Sequence, residues 1–244
     1  MARPSPPGAA IVRIVAIDTA TSASSVCLGV DREIKAIATR VDRRGHVAFL
    51  VPALDFCFAQ AGWKPSDIDA VVVDVGPGLF TGIRAGLATA QGIAAAAGVP
   101  IVPVNALDVL ALRASTGRRE IWPIVDARRG QIATAPYKPV PGGVVREGPV
   151  QLMKPNEFQA HLSARQSEAL VVGDYQALGE HVLHETRHVK FGRPRYPTAD
   201  LGMELALRTL ESGEVPLADD VRPMYLREAD VAINWTDFRG EGFE

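Results

Sequence analysis

Cysteine is almost missing from this chain: Cys27 and Cys57 are the only two in 244 residues. Each lies in an apolar segment and neither belongs to a Cys-x-x-Cys pair, which excludes a disulfide framework and a thiolate zinc site. Both read as small core residues. An excess of charge of one sign is missing too, since 26 Lys and Arg face 28 Asp and Glu for a net charge of -2. Long-range capture of nucleic acid is therefore not built into the average charge. No apolar run approaches the ~20 residues of a membrane span, and the first ten residues hold one Arg and no stretch of secretory length. A cytoplasmic protein is expected, with frayed tails at 1–10 and 228–244.

What is present is an ordinary globular composition, 47% apolar and 22% charged, on a chain long enough for two lobes of about 100 residues. Several cations come in pairs: Arg43-Arg44, Arg118-Arg119 and Arg128-Arg129. They read first as solvated loop ends, although each pair could make a local phosphate contact. Residues 12–18 form a β-branched strand that delivers Asp18 to the turn Thr19-Ala20-Thr21-Ser22, and strands at 25–30 and 33–40 follow around Asp31-Arg32. Helical spacing runs from His46 to Ala61 with Gly62 as the stop and Pro52 expected to kink it. A buried strand (69–75), an Ala-rich helix (81–97), a strand (100–104) and a helix (106–114) complete the first half.

The pattern restarts at 120–126, another strand ending in an acid, Asp126. Strands at 131–137 and 144–152, a helix at 156–165, a strand at 170–173 and helices at 175–185 and 199–210 follow. A duplication at a spacing of ~100 residues is too long for a solenoid and points to two similar lobes across a cleft. The expected fold is α/β, the actin-like ATPase (ASKHA) superfold with two β-β-β-α-β-α lobes: 11–105, joined by the helix near 199–212, and 106–198. Fold alone does not give function. A phosphate-clamping hairpin wants small residues beside its acid. Asp18-Thr19-Ala20-Thr21 has no glycine, Asp126-Ala127-Arg128-Arg129 carries two guanidinium groups, and Val171-Val172-Gly173-Asp174-Tyr175 offers one glycine where an adenine site wants two. A self-sufficient ATPase is disfavoured.

The segment Gly76-Pro77-Gly78-Leu79-Phe80-Thr81-Gly82-Ile83-Arg84 joins a buried strand to a long helix. Thr81 reads as the helix N-cap, and the free amides of the first turn suit an anion. Residue types alone leave two options open, a tight connection or an anion or nucleotide contact made by Asp18, Thr19, Gly76, Gly78, Thr81 and Arg84. No Walker lysine follows. Gly82, Gly86 and Gly92 each cost roughly 1 kcal/mol inside a helix. Gly82, Gly86, Ala90 and Ala94 share one face, a smooth strip for another helix. With Ile83 and the first helix's Val47, Leu50, Leu54 and Phe58, the strip is expected to pack against a similar chain, burying roughly 1,200 to 2,000 Å². On that expectation a bulky residue at Gly86 leaves the monomer folded and blocks association.

These residues resemble a known family. Ile14-Val15-Ala16-Ile17-Asp18-Thr19-Ala20-Thr21, His46 before Leu50-Val51-Pro52, the segment Gly76 to Arg84, Asp126-Ala127-Arg128-Arg129-Gly130 and Pro223-Met224-Tyr225-Leu226-Arg227 together are similar to the TsaB (YeaZ) family, over residues 12 to about 227. Leu79 departs from it, standing where the family usually carries Ser. The resemblance implies a non-catalytic subunit of the bacterial machinery for tRNA threonylcarbamoyladenosine synthesis, which pairs with the catalytic paralogue TsaD and works with the ATPase TsaE. TsaD transfers threonylcarbamoyl to N6 of a tRNA adenosine and holds a metal through a His-x-x-x-His helix. The matching stretch here, Val104-Asn105-Ala106-Leu107-Asp108, has no histidine, so the imidazole ligands of that site are missing. The resemblance implies no cofactor for this chain alone, with ATP only at a composite interface, an indirect or weak tRNA contact and no membrane. A homodimer through the same helices stays open. The competing reading is an autonomous ATP-using transferase or a metallopeptidase of the same superfold.

Other residues point less clearly. His181, His184 and His188 could present a metal face on a continuous helix, but Glu185-Thr186-Arg187 interrupts it, and Arg187 and Lys190 repel a cation. No metal is expected. His46, Asp18 and Asp126 could cluster at the cleft, but they read better as a helix opener and two turn acids. Trp63, Trp122 and Trp235 are scattered, without a platform for stacked bases.

Overall fold

The computed structural model describes residues 12–165, 167–179, 188–213, 215–217 and 220–226. The first sheet is built from β1 (Arg13–Asp18), β2 (Ala23–Val30), β3 (Glu33–Val41), β4 (Ala70–Asp74) and β5 (Ile101–Val104), in the order β3-β2-β1-β4-β5. β1, β2 and β3 form an antiparallel meander, and β4 and β5 extend it in parallel. β4 reads Ala-Val-Val-Val-Asp because every residue in it is buried, as a central strand covered on both faces requires.

Helices α1 (His46–Ala61) and α2 (Phe80–Ala97) cover one face. Leu50, Leu54, Cys57 and Phe58 of α1 and Leu87, Ala90 and Ala94 of α2 pack there on Val15, Ile17, Val26, Leu28, Val71 and Val73. After an intervening helix, α3 (Ala106–Ala114), a second sheet follows: β6 (Glu120–Asp126), β7 (Ile132–Thr134), β8 (Tyr137–Val140), β9 (Gly143–Arg146), β10 (Gln151–Met153), β11 (Ala169–Gly173) and β12 (Val189–Phe191). Its main path is β10-β7-β6-β11-β12, with β8 on β6 and β9 on β8. α3 packs on it through Leu107, Leu110 and Ala111, and α4 (Pro155–Ala164) packs through Phe158 and Leu162 against Trp122, Ile124 and Val171. α5 (Ala199–Ser212) returns from the far end of the sequence to the open face of the first sheet, where Met203, Ala206 and Leu207 meet Ile14, Ala16, Cys27, Val72 and Val102. Two sheets of this order, each an antiparallel edge with a parallel extension between helices, make up the expected actin-like α/β fold.

Differences in the second half have local causes. The single strands expected at 131–137 and 144–152 are each broken in two, with Pro136 and Pro149 in the gaps, because proline cannot donate to a ladder. The helix expected at 175–185 begins as a one-turn 3₁₀ segment, Tyr175–Leu178; residues 180–187 lie outside the described residues. The three-residue β12 was too short to show as a period. α1 runs through Pro52, which is exposed on its outer side.

The glycine-bearing face of α2 turns inward. The Thr19 hydroxyl donates to the Gly82 carbonyl at 2.7 Å, and a Cβ at Gly82 would overlap the Thr19 carbonyl oxygen while one at Gly86 would overlap the Thr19 hydroxyl. Ala90 is fully buried beside them. The strip expected to receive a partner is already filled by the molecule's own β1–β2 turn. The expectation that a bulky residue at Gly86 spares the monomer is corrected for the same reason. Gly92 differs: it is exposed, and a Cβ there meets nothing within 4 Å. Urea unfolding should show Gly82→Ala losing about 3 kcal/mol or failing to fold, whereas Gly92→Ala gains up to about 1 kcal/mol from helix propensity.

Candidate functional site

β1 and β4 are parallel neighbours and each ends in an acid, so Asp18 and Asp74 emerge side by side beneath the Gly76-Pro77-Gly78 turn. Both are buried, at 2% and 1% exposure. Asp18 accepts from the Ala20 N–H at 3.1 Å and Asp74 from the Gly76 N–H at 2.7 Å. The second oxygen of each has no N–H or O–H donor among the described residues. The two carboxyls interact with each other, and a proton shared between them satisfies both. Burial pushes the Asp18 pKa up to about 6. Burial, and then the charge of Asp18, raise Asp74 well above the usual carboxylate range. The pair is thus a proton-holding element in a dry strand end, poorly suited to an anion.

His46 lies between the start of β2 and α2, its Cδ2 3.5 Å from where a Cβ on Gly82 would stand. It is the first residue of α1, 4% exposed, with Nδ1 at 2.7 Å from the Ser24 hydroxyl. Its Nε2 has no partner among the described residues, and burial holds its pKa below the ordinary value. Asp126 is half-buried and ion-paired to Arg43 at 2.6 Å, and no hydrogen bond or ion pair among the described residues joins it to Asp18 or His46, so the three do not form a bonded catalytic group.

The six residues expected to share an anion are divided. Asp18, Thr19 and Gly76 are buried. Gly78 lies so close to the Ala20 carbonyl that a Cβ would overlap it, and the Leu79 N–H is already bonded to that carbonyl at 2.7 Å. Backbone fills the space a phosphate would need. α2 begins one residue earlier than expected, with Leu79 rather than Thr81 at the N-cap position and no side-chain cap. Thr81 and Arg84 remain on the surface. Arg84 lies 3.7 Å over the Phe80 ring and donates to the Tyr225 hydroxyl at 2.8 Å. Tyr225 gets there because the Met224 N–H bonds the Val75 carbonyl at 2.7 Å, drawing the C-terminal segment across the Gly-Pro-Gly turn. Sequence reasoning missed Asp74, although it ends its strand just as Asp18 does. It also missed the Arg84–Tyr225 contact, which no spacing announces.

The expected partner surface is corrected in the same way. Leu50, Leu54, Phe58, Gly82, Ile83, Gly86 and Ala90 are buried within the chain, and Val47 alone of that set faces outward, at 67% exposure. The outer sides of the same helices instead carry Val51 and Phe56 on α1 and Ala88, Gly92, Ala95 and Ala96 on α2. No group of His, Cys, Asp and Glu fit to hold a metal occurs among the described residues; His181 and His184 lie outside them, as does Trp235. No helix among the described residues is long and apolar enough to cross a membrane.

Comparison with known proteins gives a consistent result. Residues 37–159 match the family model described as TsaD, tRNA N6-adenosine threonylcarbamoyltransferase. The Escherichia coli protein named tRNA threonylcarbamoyladenosine biosynthesis protein TsaB is 29% identical over 220 residues, covering 88% of this chain and 95% of the relative. Its Bacillus subtilis namesake is 28% identical over 227 residues, covering 92% of this chain and 98% of the relative. Among solved structures, YeaZ from Pseudomonas aeruginosa superposes with a TM-score of 0.77 at 25% identity, over 88% of this chain and 100% of that one.

The carboxyl pair sets a pH dependence of known sign. An unfolded aspartate releases its proton near 3.8, whereas Asp18 in the fold holds it to about 6, so the folded state binds more protons between those values and stability falls as pH rises through them. Asp74→Asn keeps an acceptor for the Gly76 N–H and supplies an N–H to Asp18. Thermal melts should place this variant above the parent chain at pH 8, by about 1–2 kcal/mol, with the advantage shrinking toward pH 5.

Proposed function

Because the chain belongs to the TsaB (YeaZ) branch of the tRNA N6-adenosine threonylcarbamoyltransferase family, we propose that it is a non-catalytic subunit of the threonylcarbamoyladenosine machinery that binds and stabilises the catalytic paralogue TsaD through the outer faces of α1 and α2. Gly92 carries the reading. It sits mid-helix and exposed, where glycine costs roughly 1 kcal/mol relative to alanine, and among the described residues nothing outside its own helix comes within 4 Å of a Cβ placed there. A neighbouring helix from another protein gives that glycine a purpose, with Ala88, Ala95 and Ala96 as the rest of a flat seat and Val47 and Val51 as apolar contacts on α1.

The absence of chemistry in the isolated chain is supported by what occupies the relevant positions. Asn105 caps α3 by accepting the Leu107 N–H at 2.8 Å, and Asp108 accepts from the Tyr137 hydroxyl at 2.5 Å. Both have structural partners where the paralogue's helix would carry metal-binding histidines. The turn after β1 is closed by Gly78 and Gly82, so a nucleotide meets this chain only where a partner completes the site with Thr81 and Arg84. In this reading the two sheets are two lobes, 11–105 with the 199–212 helix and 106–198, the protein works in the cytoplasm beside TsaE, and a homodimer uses the same outer faces when TsaD is absent.

Size-exclusion chromatography with TsaD tests the surface. Gly92→Leu and Val51→Glu should leave the circular dichroism and melting temperature of the chain near those of the parent while removing the complex peak. A complex that persists in both variants overturns the assignment. Threonylcarbamoyl transfer to tRNA, with release of AMP, by the isolated chain supplied with threonylcarbamoyl-adenylate would overturn the non-catalytic role.

A further inference from the structure

Two arginine pairs that are distant in sequence meet in the structure. Arg43 donates to Asp126 Oδ2 at 2.6 Å, and the Arg128 N–H donates to Asp126 Oδ1 at 2.8 Å, with the Arg128 guanidinium 3.8 Å from Oδ2. One carboxylate thus draws the loop before α1 and the turn after β6 to the same place, joining the first sheet to the second. Arg40 pairs with Asp42, which also accepts the Arg44 N–H at 3.0 Å. Five arginines, Arg40, Arg43, Arg44, Arg128 and Arg129, gather around two aspartates, Asp42 and Asp126, and all five are exposed. The cluster is rich in positive charge on a chain whose net charge is -2.

Two further observations reinforce that charge. α1 starts at this spot with Gly45 at its N-cap and no acid in its first turn, so the positive pole of a 16-residue helix adds to the cluster, with the Asp42 carboxylate beside Gly45 offsetting part of it. Arg128 and Arg129 also hold left-handed backbone, at φ 63° and 56°, before Gly130 at 69°. That conformation costs a non-glycine residue roughly 1–2 kcal/mol. The turn is pinned by the Ala127 N–H on the Gln131 carbonyl at 3.0 Å and the Gln131 N–H on the Arg128 carbonyl at 3.1 Å. Glycine or asparagine would relieve the strain at either arginine. Strain kept at an exposed turn marks side chains with a use.

We propose that this arginine cluster is a contact surface for the phosphodiester backbone of tRNA, which rests on the family role proposed above. Guanidinium forks match phosphate oxygens in pairs. Their spread over two loops suits an extended polyanion better than a single small phosphate compound. No aromatic ring belongs to the cluster, so it positions RNA without reading its bases.

The test is filter binding of the full chain to bulk tRNA between about 50 and about 200 mM salt, with Arg44→Gln/Arg129→Gln and the charge-keeping Arg44→Lys/Arg129→Lys alongside. The Gln pair should weaken binding about tenfold and flatten the log–log salt slope by about 1 to 2, roughly one unit per lost phosphate contact, and the Lys pair should retain most of both. Arg44→Gln alone, whose guanidinium has no ion pair among the described residues, should give half the effect and serves if the turn variant does not fold. Unchanged tRNA affinity and slope in the Gln pair, or no tRNA binding by the parent chain at about 50 mM salt, overturns the proposal. Assembly with TsaD is measured on the same variants. Loss of that complex assigns the arginines to the protein interface and overturns the RNA contact, whereas failure of the parent chain itself to assemble counts against the family role instead.

Discussion

The Thr19 hydroxyl, bonded to the Gly82 carbonyl, holds α2 down on the turn between the first two strands, and much of the molecule is arranged around that contact. Glycines along the inner face permit it, since a side chain would meet the Thr19 carbonyl at Gly82 and the Thr19 hydroxyl at Gly86. Once the helix is seated, the ends of β1 and β4 are roofed over and Asp18 and Asp74 share a space that water does not reach. The same seating turns the outer side of α2 toward solvent and carries Phe80 and Arg84 to where Tyr225 can lie on them.

An actin-like fold that binds nucleotide by itself needs an open gap between its hairpin turns, lined by amides. Here the first gap is filled by the chain's own backbone, and the second turn places arginines on an exposed rim. In the proposed role, function moves from the interior to the outside: the outer helical face on one side and a cluster of guanidinium groups on another. The Arg43–Asp126 pair belongs to both descriptions, because it fastens the two sheets together and aligns the arginine loops.

Strand ends, helix stops and the overall plan were legible because they depend on local signals: β-branched runs closing on Asp18 and Asp126, Gly62 and Gly98 just past helix ends, and an apolar period from His46 to Ala61. The direction a face points is not a local property. Gly82, Gly86 and Gly92 look alike in sequence, yet two lie against Thr19 and one against nothing, and only the fold distinguishes them. The contacts of Tyr225 and Asp126 were hidden for the same reason, since each joins residues far apart along the chain. Short elements such as β12 fell below the length at which periodicity carries information.

The position of α5 has an implication for biogenesis. One side of the first sheet, with Ile14, Ala16, Val72 and Val102, stays uncovered until a helix encoded near the far end of the message has left the ribosome. During synthesis the second sheet, with α3 and α4 already in hand, can close its own interior first, while the earliest-made strands wait with a greasy side bare. A nascent chain of this design invites chaperone attendance on its N-terminal half, and the last helix acts as the latch that ends the waiting.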